Sequence, residues 1–85
     1  MKPLVLPQIN LNGSPRDRLV EQQFDVMIHL RKAYLAMAEA SPNGRDYQLR
    51  PAEFAPAREA WIERMRIIDA LYKEIEAHAL AIQEN

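Results

Sequence analysis

Residues 61–82 read WIERMRIIDALYKEIEAHALAI, and their spacing decides the fold. Trp61, Met65, Ile68, Tyr72, Ile75, Ala79 and Ile82 recur at alternating steps of four and three. That repeat keeps one apolar seam facing a partner helix, the pattern of a coiled coil. With Leu71 the seam spans an arc of roughly 120°, the width one neighbouring helix fills. The other faces carry Glu59, Glu63, Arg66, Asp69, Lys73, Glu74 and Glu76, with Asp69 and Lys73 four residues apart in the favourable order.

Working outward, Pro56 suits the first turn of this helix, predicted over about residues 56–83. Ahead of it lies a link, residues 41–55, that carries Ser41-Pro42-Asn43-Gly44 and Pro51. Proline and glycine both stop a preceding helix. That earlier helix is predicted over about residues 15–40. Ser14 is its expected cap, Pro15 its first residue, and Asp17 favours the positive end of its dipole. Residues 1–13, MKPLVLPQINLNG, form an extended arm because Pro3 and Pro7 block regular helix. The expected architecture is all-α: a long antiparallel helical hairpin over residues 14–85 with an extended N-terminal arm.

The first helix is apolar over a wider arc. Leu19, Val20, Val26, Met27, Leu30, Ala33, Tyr34 and Met37 form one broad stripe, and Phe24, Ile28 and Leu35 extend it. The total approaches roughly 200°, about twice what one partner helix covers. Two arrangements would cover the surplus. The arm could fold back and lay Leu4, Leu6 and Ile9 over it. Alternatively, hairpins could associate into a helical bundle or ring. Size favours association, since 85 residues bury too little surface for a comfortable monomer. With no cysteine, no disulfide can compensate.

Composition narrows function further. Eleven Lys and Arg against twelve Asp and Glu give a formal charge of −1, unlike a general polyanion binder. No apolar run is long enough to span a bilayer. His29 has Asp25 four residues before it, and His78 has Glu74 and Glu76 close by. Each is at most half a metal site, because a stable one takes three or four ligands. Glu59/Glu63 and Glu74/Glu76 lack the apolar surroundings that tune acid–base pairs. No catalytic residue, cofactor or metal site is therefore expected, and the chain reads as a non-enzyme. Arg45, Arg50 and Arg58 gather near the link, which keeps a nucleic-acid-associated role as the alternative. Arg45, Asp46 and Tyr47 form a further recognition candidate, although Tyr47 could equally pin the link to the hairpin.

Two segments carry a resemblance. Ile9-Asn10-Leu11-Asn12-Gly13-Ser14 precedes the first helix, and Ser41-Pro42-Asn43-Gly44-Arg45-Asp46-Tyr47-Gln48 follows it. Together they resemble the "INLNG(T/S)" start and "AP-x-GRDY" link of small helical proteins encoded by tailed phages and prophages. Ser41 stands where those proteins have alanine, and the likeness covers roughly residues 9–48. It implies a phage or prophage origin and transfers no catalytic residue. The combined expectation is a homo-oligomeric protein–protein interaction protein, a virion-assembly or accessory factor in the bacterial cytoplasm or on the virion. It would bind a phage or host protein and no membrane.

Overall fold

The computed structural model describes residues 1–84; the last residue of the expected hairpin, Asn85, lies outside them. The chain is all-helical, with α1 at Arg16–Glu39 and α2 at Phe54–Glu84. The two helices pack along their length as a hairpin. The molecule measures 63 × 22 × 17 Å. At about 1.5 Å per residue α2 accounts for some 46 Å of that length. The link and the arm extend beyond its ends.

The start of α1 departs from expectation. Pro15, not Ser14, is the half-helical residue before α1, with φ −66° and ψ 152°, and no side chain caps it. The Pro15 carbonyl instead accepts from Arg18 N at 3.1 Å and Leu19 N at 3.2 Å. Proline is suited to this place because it has no N–H to leave unsatisfied. Asp17 occupies the first turn as expected.

At the other end, α1 closes where Ala40 N donates to Ala36 O at 3.0 Å and Ser41 N to Ala38 O at 3.3 Å. Pro42 then disfavours helical backbone at Ser41. Gly44 plays no left-handed capping role, because no residue here has a positive φ. It opens a short 3-10 turn, Gly44–Tyr47, followed by a second, Pro51–Glu53. This second turn runs straight into α2, which therefore begins two residues earlier than predicted. Pro56 becomes its third residue, where a backbone N–H has no intrahelical acceptor anyway.

The two segments behind the resemblance use one device twice. Asn10 Oδ1 accepts from Asn12 N at 3.0 Å, and Asn43 Oδ1 accepts from Arg45 N at 3.0 Å. Both asparagines fold the chain by mimicking a backbone turn. One links the arm to α1, and the other launches the link. A Cβ on Gly13 would sit 3.3 Å from the Asn10 amide nitrogen, so glycine gives that side chain room.

Burial shows where the core lies. Val20, Met27, Ala79 and Ile82 are the buried apolar residues, three of them at the open end of the hairpin. Ile82 is only 1% exposed although it lies two residues from the end of α2. Burial this complete makes the open end the most tightly covered part of the seam. The arm leads into α1 at that same end. Within it Leu4 and Leu6 are 45% and 43% exposed, whereas Val5 between them is 82% exposed. Pro7, next along the arm, is half-buried.

Candidate functional site

The face that α1 turns to α2 is built on Val20, Gln23, Met27, Leu30, Tyr34 and Met37, all buried or half-buried. Their steps of three and four match those of Trp61, Met65, Ile68, Tyr72, Ile75, Ala79 and Ile82, which are likewise covered. Cross-helix bonds fix the register. The Trp61 indole N–H donates to Met37 O at 2.7 Å, and the Ser41 hydroxyl reaches Met65 Sδ at 3.9 Å. In this register Gln23 lies level with the buried Ala79, where a small residue makes room for a longer one. Gln23 escaped the sequence reading because it is polar, although its spacing placed it in the seam. Val26 and Ala33, expected in the stripe, are exposed.

Beside the seam runs a shallow groove of about 210 Å³, flanked by Tyr34, Tyr72, Arg31, Asp69 and Lys73. Lys73 Nζ lies 3.0 Å from Asp69 Oδ2. The hydrogen bond to Asp69, then its charge, raises the Lys73 pKa above the ordinary 10.5. Held protonated at neutral pH, this lysine offers neither a base nor a nucleophile. His29 Nδ1 donates to the Asp25 backbone oxygen at 2.7 Å, so the ring is engaged with its own helix and not with the Asp25 carboxylate. Among the described residues no three His, Cys, Asp or Glu side chains converge. No helix among them is long and apolar enough to cross a membrane.

On the groove side of α1, Phe24, Ile28 and Leu35 are 41%, 51% and 51% exposed. His78 and Ala81, on the far side of α2, are half-buried, whereas Leu80 and Glu76 on the groove side are exposed. Leu4, Leu6 and Ile9, expected to share a partner face with Phe24, Ile28 and Leu35, are 45%, 43% and 37% exposed.

At the link end, Tyr47 is half-buried and its ring centroid lies 5.8 Å from that of Phe54, tilted by 44°. That contact ties the link to the first residue of α2. Arg45 and Asp46 remain exposed beside it. Arg50 Nη1 sits 3.4 Å from Glu53 Oε1 on the surface, and Arg58 is exposed on the first turns of α2. Positive and negative groups thus alternate at this end. No family model, curated protein or solved structure matches the chain.

Proposed function

We propose that this chain is a non-enzymatic interaction protein that associates with itself through the Phe24, Ile28 and Leu35 flank of α1. The observation that supports the reading is the exposure of these three side chains on one flank of so small a chain. Roughly half of each is still wet. Covering the remainder contributes on the order of 2–4 kcal/mol per chain, a large increment for a domain of this size. The resemblance of residues 9–14 and 41–48 to phage-encoded proteins motivates a phage or prophage origin. A virion-assembly or accessory role with a phage or host partner, in the bacterial cytoplasm or on the virion, fits a small helical module without a catalytic constellation.

Light scattering after size exclusion tests the association. A mass that exceeds the 9.8 kDa chain and rises with concentration supports it, and a constant 9.8 kDa removes it. The position of the gene among head, tail or replication genes tests the proposed origin independently.

A further inference from the structure

The open flank of α1 holds more than three apolar residues. Asp17, Glu21, Phe24, Ile28, Arg31, Leu35 and Ala38 recur at steps of four and three. α1 thus carries a second seam beside the one that α2 fills. Its charges are sorted along the helix, acidic at Asp17 and Glu21 and basic at Arg31. Arg31 lines the groove together with Asp69 and Glu76, yet among the described residues it joins no ion pair. Among the described residues Glu21 joins none either, and both side chains are exposed.

Self-complementarity follows from the spacing. When two copies of this seam run antiparallel about a two-fold axis level with Val26, Glu21 of each stands opposite Arg31 of the other. Phe24 then meets Ile28 of the second copy, and symmetry repeats both pairings. Leu35 and Asp17 fall at the rim. A parallel pair would instead set Glu21 on Glu21 and Arg31 on Arg31, like charges in contact. Arginine suits the place because its planar guanidinium pairs with a carboxylate at low desolvation cost.

Building on the self-association reading above, we propose that the occupant of this flank is a second copy of the chain. It docks antiparallel, with a Phe24–Ile28 centre closed at both ends by Glu21–Arg31 pairs. The two hairpins then form a four-helix bundle with α1 against α1.

Charge reversal in the full-length chain tests the arrangement, with masses followed by sedimentation across a concentration series and helix content by circular dichroism. Glu21→Arg and Arg31→Glu each place like charges opposite one another twice, and each raises the dissociation constant about tenfold or more. The double variant restores the native constant to within about threefold, because both pairs re-form in reverse. An equimolar mixture of the two single variants also re-associates. A wild-type chain that stays monomeric overturns the self-association reading itself. A wild-type oligomer indifferent to either reversal, or not rescued by the double variant, overturns this interface and leaves self-association standing.

Discussion

The Trp61 indole N–H donates to the Met37 carbonyl oxygen at 2.7 Å, so α2 caps the C-terminus of α1. The last carbonyls of a helix lack intrahelical partners, and Met37 lies within that final turn. Trp61 therefore closes the seam by area and terminates the neighbouring helix by hydrogen bonding. Replacing Trp61 with Phe keeps most of the area and loses the bond. A loss of about 1 kcal/mol is expected from urea unfolding at fixed protein concentration. The Ser41 hydroxyl, 3.4 Å from the same oxygen, offers a weak substitute, so the cost stays at the low end.

In the arm Leu4 and Leu6 are 45% and 43% exposed and Val5 between them is 82% exposed, which gives a sharp contrast. Leu6→Asp or Leu4→Asp lowers stability by about 1 kcal/mol, because a half-covered leucine is replaced by a charge. Val5→Asp, at a bare position, stays within about 0.5 kcal/mol of wild type. Equal effects at all three positions would mean that the partial cover of Leu4 and Leu6 adds nothing to stability.

Ile82 reports the packing at the open end of the hairpin. Ile82→Ala opens a cavity at a site that is 1% exposed and costs about 2–4 kcal/mol. Ile67→Ala, at a residue 58% exposed, costs less than about 1 kcal/mol. Thermal melts of the two variants at one concentration separate them.

The alkaline limb of the stability curve belongs in part to Lys73. Its pKa is raised in the folded chain by the Asp69 hydrogen bond and charge. The folded state therefore holds this proton more tightly than the unfolded chain. The stabilisation is complete below the ordinary lysine value and is lost as pH rises through the raised one. Lys73→Met is expected to leave the urea midpoint unchanged in its pH dependence from about pH 7 to 9, and to flatten the decline above about pH 10.5.

Much of the fold was open to sequence reading, for an identifiable reason. α2 carries charge on every face except the seam, so its period stands out and the two-helix hairpin follows. α1 carries apolar residues on three flanks, and periodicity alone does not say which flank meets α2. Gln23 shows the difficulty best: a polar residue occupies a seam position, while Val26 and Phe24 remain half-open to water. The path of the arm was hidden for another reason. Extended chain has no local hydrogen-bond pattern, and its place depends on long-range contacts. The helix limits near Ser14 and Pro56 shifted by one or two residues because proline is accommodated at several first-turn positions.

Within the exposed flank, position along the proposed two-fold arrangement sets the expected sensitivity. Ile28→Ser, at the centre, dissociates the assembly while helix content persists, since half of Ile28 is already outside the monomer core. Leu35→Ser, at the rim, weakens it far less, as rim positions generally do. A reversal of that order, read from masses at matched concentration, would place the interface elsewhere on α1.

The most direct measurement is the mass of the unmodified chain by light scattering across a concentration series in the micromolar range. Self-association through Phe24, Ile28 and Leu35 predicts a rise from the 9.8 kDa chain mass toward twice that value, abolished by Ile28→Ser. A mass fixed at 9.8 kDa throughout, or an oligomer unmoved by Ile28→Ser, would contradict it.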